Sequence, residues 1–222
     1  MKAANILFLA GAYQSPAMWN GVISRLAVQN PDLGSYVHDY QPAMMGREAT
    51  ISGVLSDVQT TVFRRSIDVI VGYSLGATIA CLLAKHNLKG VVRIVALCPP
   101  TTLPSFYLRV RRCMNRVVRC CCNVEYRPDM HWLTAPLAVN YESPAVFESL
   151  AKSFRFEDCE THTPISILWS RLDPFAWRRS SLSSRMCNRE LVREEFPSLY
   201  GHQVWLTQPS LVAELIAQAA RK

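Results

Sequence analysis

Short apolar runs alternate along the chain with longer segments of helical periodicity. The apolar, β-branched runs predict strands at 5–11, 67–72, 91–100 and 164–170, with weaker strands at 35–42 and near 191–196. The helical pattern covers 16–29, 50–65, 75–87 and 209–222, and a polar helical stretch lies around Trp177 to Met186. This alternation predicts an α/β fold, with a mostly parallel sheet flanked by helices on both faces.

The region from about Thr101 to Thr163 interrupts the alternation. It lies between two predicted strands and is too long for a plain crossover. It contains a basic helical pattern, three consecutive cysteines at 120–122 and another helix beginning near Ser143. We interpret residues 101–163 as a short helical cap over the carboxyl edge of the sheet. No repeat or linker divides the chain, so we expect a single domain over residues 1–222.

Composition excludes some classes of protein. Half of the 222 residues are hydrophobic and 18% are charged, which is typical of a globular chain. No apolar run reaches 18 residues, so we expect no membrane span. The apolar run at the start turns polar at Tyr13, and we interpret it as a strand and its loop rather than a secretory signal. Eight cysteines without a C-x-x-C pair indicate reduced thiols and favour the cytoplasm.

The net charge of +7 permits an acidic partner without requiring one. Part of the excess comes from arginines at helical spacing in the cap region: Arg109, Arg112, Arg116 and Arg119. The simpler interpretation is a solvated basic face of an amphipathic helix. The alternative is a binding patch for an anionic substrate tail or an acidic carrier protein. No recognition motif for nucleic acid is present, so we expect no nucleic-acid partner.

Candidate chemistry begins with "VIVGYSLGATIA", residues 70–81. Ser74 lies between Gly72 and Gly76, after a predicted strand and before a predicted helix, as in a strained turn that exposes a nucleophile. Three other predicted strands are followed by polar residues or a tight turn: Asp173, His202 and the turn Gly11–Ala12–Tyr13. Because parallel strands end at one edge of a sheet, we expect these groups to meet there.

These residue types suit one another chemically. A serine hydroxyl is a weak nucleophile and needs a base such as neutral imidazole, which in turn needs a carboxylate to fix its tautomer. Charge on the substrate oxygen needs preorganised N–H donors. The amide of Leu75, at a helix N-terminus, is one candidate donor, and the amide of Ala12 in the first loop is the second.

The chain resembles the α/β-hydrolases over nearly its whole length. "GYSLGA" resembles their nucleophile turn, "ILWSRLDPF" their acid-bearing strand and loop, and "YGHQVWLTQPSLVAELI" their histidine loop and last helix. The resemblance implies a Ser74–His202–Asp173 triad and an oxyanion hole at Leu75 and Ala12. Two departures are present: Ala10-Gly11 stands where the family has His-Gly, and the usual N-terminal hairpin is missing, so we expect a trimmed version of the fold.

Several assignments keep an alternative. Asp158 or Asp39 could supply the acid instead of Asp173, Ser74 could be a structural turn serine, and His202 a surface-loop histidine. Tyr13 and Trp132 are candidates for substrate contact, and for each the alternative is packing or a structural role. The remaining histidines are expected to be structural or exposed: His38, His86, His131 and His162.

The leading hypothesis is a serine-dependent acyl hydrolase of esterase or thioesterase type, which acts on a small-molecule acyl substrate without metal or organic cofactor. The alternative enzyme keeps the triad but forms no acyl-enzyme, as in the lyases, C–C hydrolases and tailoring enzymes of the superfamily, including the menaquinone-pathway lyase that "GYSLG" resembles. A third possibility is a ligand receptor without activity on the same fold.

Overall fold

The computed structural model describes residues 4–45, 49–86, 88–100, 127–129, 163–168, 192–195 and 204–221. Within them, all six predicted strands are confirmed: β1 (Asn5–Leu9), β2 (Gly34–His38), β3 (Val69–Tyr73), β4 (Arg93–Leu97), β5 (Ile165–Leu168) and β6 (Val192–Glu195). They form one sheet in the order β2-β1-β3-β4-β5-β6, and every neighbouring pair is parallel. The carboxyl ends of all six strands therefore lie at one edge.

The predicted helices in the described residues are also confirmed. They are α1 (Asn20–Gln29), preceded by a 3-10 turn at Pro16–Trp19, α3 (Ile51–Arg65), α4 (Leu75–Ala84) and α6 (Pro209–Arg221). Two short helices were not predicted: α2 (Gln41–Met45) and α5 (Val204–Thr207). The strand predicted at 35–42 is therefore too long, because the chain leaves β2 after His38. There the Asp39 carboxylate accepts a hydrogen bond from the Gln41 amide at 3.1 Å, and α2 begins.

Alternation along the strands produces two hydrophobic cores, one on each face of the sheet. Leu7, Leu9 and Ile70 point to the face covered by α3 and α4. Ile6, Phe8 and Val71 point to the face covered by α1 and α6. All ten residues of α4 are buried, in agreement with its uniformly apolar sequence. The result is the three-layer α/β arrangement that the sequence predicts.

The edge strand β2 is joined to α3 by a histidine. Nε2 of His38 is 2.8 Å from the Asp57 carboxylate, and Nδ1 is 3.0 Å from the Thr61 hydroxyl. Asp57 and Thr61 are four residues apart, so they share one face of α3. His38 is thus structural, as predicted.

Several predictions fall on residues that the structure does not describe. They include the helical cap apart from 127–129 and Thr163, its basic helix and the polar stretch around Trp177. Of the cysteines, Cys81 and Cys98 lie in the described residues, and both are buried. Among the described helices, none is long and apolar enough to cross a membrane.

Candidate active site

Ser74 occupies the turn between β3 and α4. Its backbone has φ 50° and ψ −115°, a conformation that non-glycine residues rarely adopt. Its N–H donates to the Leu97 carbonyl at 2.9 Å, and its carbonyl accepts the first helical hydrogen bond, from Thr78 N–H, at 3.1 Å. The side chain makes no capping hydrogen bond within the described helix. The backbone of Ser74 is therefore held on both sides in a strained conformation.

Gly72 and Gly76 allow this turn because they leave space. A Cβ on Gly72 would lie 2.5 Å from the carbonyl carbon of Gly76 and 2.6 Å from the Cα of Ala77. A Cβ on Gly76 would lie 2.5 Å from the carbonyl oxygens of both Leu9 and Ala10. Each obstacle is backbone, so a rotamer change could not relieve the clash. Both glycines are required by close approach, as the sequence predicts.

The loop after β1 forms a tight turn beside Ser74. Gln14 N–H donates to the Gly11 carbonyl at 3.3 Å, which closes a four-residue turn. Tyr13, the third residue of this turn, has φ 59°, where type II turns favour glycine. Tyr13 is only 7% exposed and packs into the core cluster that contains Leu75. Its ring is therefore a packing aromatic in this conformation, and contact with substrate stays a prediction.

This loop touches the turn of Ser74 at two places. The Leu9 and Ala10 carbonyls lie against Gly76, and a Cβ on Gly11 would meet the Tyr73 ring at 2.8 Å. Ala12 follows Gly11, and Leu75 is the first residue of α4. The structure thus brings the loops that carry the two candidate oxyanion donors, Ala12 and Leu75, into contact.

Two residues after β2 hold the same loop from its other side, and the sequence reasoning missed both. The Tyr40 hydroxyl donates to the Ala10 carbonyl at 2.7 Å. The Gln41 side-chain amide donates to the Gly11 carbonyl at 3.1 Å and to the Gln14 carbonyl at 3.4 Å. Both side chains are buried, at 0% and 1% exposure. The strand predicted over 35–42 included both residues, so their place after the carboxyl end of β2 could not be seen from the sequence.

The structure leaves part of the predicted site outside the described residues: His202, Asp173 and Trp132, as well as the alternative acid Asp158. The other alternative acid, Asp39, is described, and its carboxylate accepts the Gln41 amide at the start of α2. Asp39 follows β2, and β1 separates that strand from β3. The described groups that the fold brings together are Ser74, Leu75, Ala12 and Tyr13.

The segment after His202 packs against the residue before Ser74. The Trp205 ring, in α5, meets the Tyr73 ring edge-on, with ring centroids 5.7 Å apart and an interplanar angle of 67°. Both side chains belong to the core cluster that also contains Val204. The described start of α5, two positions after His202 in sequence, is therefore anchored beside the turn that carries Ser74.

Residues 6–219 match the family model described as the alpha/beta hydrolase family. The chain belongs to the alpha/beta hydrolase family. The match covers nearly all of the sequence, including the β1 loop, the Ser74 turn and most of α6. A search of curated proteins finds no match to this hydrolase.

Many solved structures share the fold of this hydrolase. An alpha/beta hydrolase from the metagenome of Mar Chica lagoon sediments, Morocco, is 14% identical, with a TM-score of 0.69 over 97% of this chain and 90% of that one. Naproxen esterase from Bacillus subtilis is 16% identical, with a TM-score of 0.65 over 97% of this chain and 83% of that one. The thioesterase domain from the curacin biosynthetic pathway is 12% identical, with a TM-score of 0.59 over 98% of this chain and 92% of that one. At these identities the likeness establishes the fold.

Proposed function

We propose that this hydrolase is a serine-dependent acyl hydrolase of esterase or thioesterase type, with Ser74 as nucleophile. The observation that carries the proposal is the backbone of Ser74, at φ 50° on a strand-to-helix turn whose flanking glycines admit no Cβ. A backbone strained in this way costs about 1–3 kcal/mol, and such residues cluster at active sites. The esterase and thioesterase among its structural neighbours support an acyl substrate.

His202 is proposed as the base and Asp173 as the acid. Gln203 alone separates His202 from α5, and Trp205 of α5 packs on Tyr73, which supports a histidine close to Ser74. Asp173 follows β5, which lies two strands from β3 in the sheet. Asp39 is a poorer acid candidate because its carboxylate already accepts a hydrogen bond from the Gln41 amide at the start of α2.

The proposed reaction proceeds through an acyl-enzyme. The Ser74 hydroxyl attacks the carbonyl carbon of a small-molecule ester or thioester while His202 takes its proton. The amides of Leu75 and Ala12 stabilise the negative oxygen of the tetrahedral intermediate. His202 then protonates the leaving alcohol or thiol as the acyl–oxygen or acyl–sulfur bond breaks. Water, deprotonated by His202, releases the acid and restores Ser74.

Two finer parts of the proposal rest on the sequence. The cysteine usage supports a cytoplasmic location, since reduced thiols are typical of that compartment. The basic helical pattern in the predicted cap supports a substrate with an anionic tail, or one presented by an acidic carrier protein. Charge reversal at Arg112 and Arg116 tests whether these arginines bind an anionic substrate. If they do, the change should weaken turnover of an anionic acyl substrate more than turnover of a neutral one.

Triad variants test the proposal directly. With p-nitrophenyl butyrate and a short acyl thioester as substrates, we expect Ser74→Ala and His202→Gln each to lower kcat/KM at least about a thousandfold. The double variant should lose no more than either single one, because the residues act as a unit. Asp173→Asn should lower kcat about 10³–10⁴-fold, since the histidine tautomer is no longer fixed.

Two controls accompany these variants. Asp39→Asn keeps an oxygen acceptor at the start of α2 but removes the charge, and exposed His86→Gln changes a distant histidine; each should alter activity by no more than about two- to threefold. A large loss in Asp39→Asn with none in Asp173→Asn would reassign the acid. Steady turnover of a substrate by Ser74→Ala would contradict the proposal. Turnover by the wild type that never accumulates a Ser74-linked acyl group would favour the lyase-type alternative.

A further inference from the structure

The loop that carries Ala12 is held by three hydrogen bonds from the segment after β2. Tyr40 and Gln41 donate to the carbonyls of Ala10, Gly11 and Gln14 at 2.7, 3.1 and 3.4 Å. Both donors are almost completely buried, so water cannot replace them without a rearrangement of the core. We call this pair, Tyr40 and Gln41, the loop clamp.

Peptide geometry gives the bond to Gly11 a specific consequence. The Gly11 carbonyl and the Ala12 N–H belong to the same peptide unit, which is planar and trans, so they point in opposite directions. Gln41 holds this carbonyl together with the Gln14 N–H of the turn, and so it helps to fix the N–H of Ala12 to point away from the β2 side of the loop. The strand on the other side of β1 is β3, and Ser74 follows its last residue.

Gln41 is itself held in place. Its backbone N–H donates to Asp39, and the strands before the two loops are in register, with Leu9 opposite His38. The side-chain amide reaches two carbonyls of the turn, one at each end, Gly11 and Gln14. Such a bridge resists rotation of the peptides between them, including the strained Tyr13 backbone at φ 59°.

We propose that Gln41 is a positioning residue that aims the Ala12 amide at the substrate oxyanion, with Tyr40 in support. The inference rests on the proposed function, since it needs an oxyanion formed at Ser74. Gln41 does not touch substrate in this account. It acts through the Gly11–Ala12 peptide, so its loss should weaken binding of the transition state and leave binding of the ground state unchanged.

The test compares an inhibitor that forms an oxyanion with one that does not. An alkyl trifluoromethyl ketone adds to an active serine to form an anionic hemiketal, whereas the corresponding trifluoromethyl alcohol binds without a bond. In Gln41→Met, which keeps the length but removes both donors, we expect kcat and the ketone affinity to fall together, by about 10- to 100-fold. The KM and the alcohol affinity should stay within about threefold of the wild type, because Gln41 does not contribute to binding of the ground state.

Controls separate positioning from general destabilisation. Val62→Ala truncates a buried residue of α3 that belongs neither to the loop clamp nor to the candidate site, and it should lower Tm without changing the ketone-to-alcohol affinity ratio. Tyr40→Phe removes one donor and should lower the ratio less than Gln41→Met does. If Gln41→Met does not fold, Gln41→Leu removes the same donors without introducing a buried charge, and the same loss is expected.

The outcomes distinguish the inference from the function on which it rests. A fall in the ketone-to-alcohol ratio in the Gln41 variant, absent in Val62→Ala, supports the positioning role. An unchanged ratio in a folded Gln41 variant, with a wild type that forms the hemiketal, overturns the inference alone. A wild type that forms no hemiketal at Ser74 overturns the proposed function, and the inference with it.

Discussion

Left-handed backbones at non-glycine residues follow three strands of the sheet. Tyr13, Ser74 and Cys98 have φ of 59°, 50° and 47°, and they come after β1, β3 and β4, which are neighbours. Cys98 N–H donates to the Leu168 carbonyl, as Ser74 N–H donates to that of Leu97, so each bend is fixed by the adjacent strand. Strain in the described residues is therefore concentrated at the edge where the candidate site lies.

Because the backbone of Ser74 is strained, glycine at this position should abolish activity and yet stabilise the fold. Ser74→Gly removes the Cβ at φ 50°, and we expect the free energy of unfolding to rise by about 1 kcal/mol while ester hydrolysis is lost. Thermal or urea unfolding, with an esterase assay on the same samples, measures both.

Ser66 supplies the matched control for that substitution. It has φ 48° and ψ 56° after the last residue of α3, at the opposite edge of the sheet from Ser74. Ser66→Gly should gain a similar stability, because glycine is preferred at this helix end, and should keep full activity. A loss of stability in Ser74→Gly, with a gain in Ser66→Gly, would show that the Ser74 backbone is not strained.

At the scale of elements, the β3–α4 unit depends on two glycines that touch backbone. Gly72 faces Gly76 across the turn, and Gly76 faces the carbonyls at the end of β1. The contact brings α4 close to the sheet and the β1 loop close to Ser74. The five-residue helix α2 has a similar role on the other side, since it begins at the residue that bonds the β1 loop.

An alanine at Gly76 should therefore lower the free energy of unfolding far more than an alanine at a helical glycine with space around it. We expect Gly76→Ala to lower the free energy of unfolding by about 3 kcal/mol or more, because its Cβ would overlap two backbone carbonyls. Gly21 is an exposed position of α1 where an added Cβ has its nearest neighbour at 4.0 Å, so Gly21→Ala should raise the free energy of unfolding by about 0.5–1 kcal/mol. Urea unfolding of both variants measures this difference. Equal free energies of unfolding would mean that the contact at Gly76 leaves room for a Cβ.

At the scale of the whole molecule, the sequence was sufficient to predict the described sheet and its long helices. Continuous apolar runs at β1, β3 and β4 and the periodicity of α3 and α6 carry enough signal over their length. The sequence did not predict α2, because five residues are too few to show a helical period and Asp39, not an apolar stripe, starts it. The loop clamp was out of reach for another reason: its bonds join residues 27 to 30 positions apart, and no local pattern encodes them.

The candidate site divides in the same way. The motif around Ser74 encodes its own turn, because the strand, both glycines and the helix are contiguous in sequence. The assignments of His202 and Asp173 depend on strand order and loop paths, which a single sequence fixes only through its resemblance to a family. They remain predictions that the proposed variants test.

The measurement that tests the central claim most directly is the intact mass of the protein after exposure to a fluorophosphonate, with Ser74→Ala alongside. An activated serine displaces fluoride and keeps the phosphonyl group, so the account predicts a single adduct on the wild type and none on Ser74→Ala. Peptide mapping should locate the adduct at Ser74. A folded wild type that gains no adduct, or one that Ser74→Ala gains equally, would contradict the account and favour a ligand receptor on the same fold.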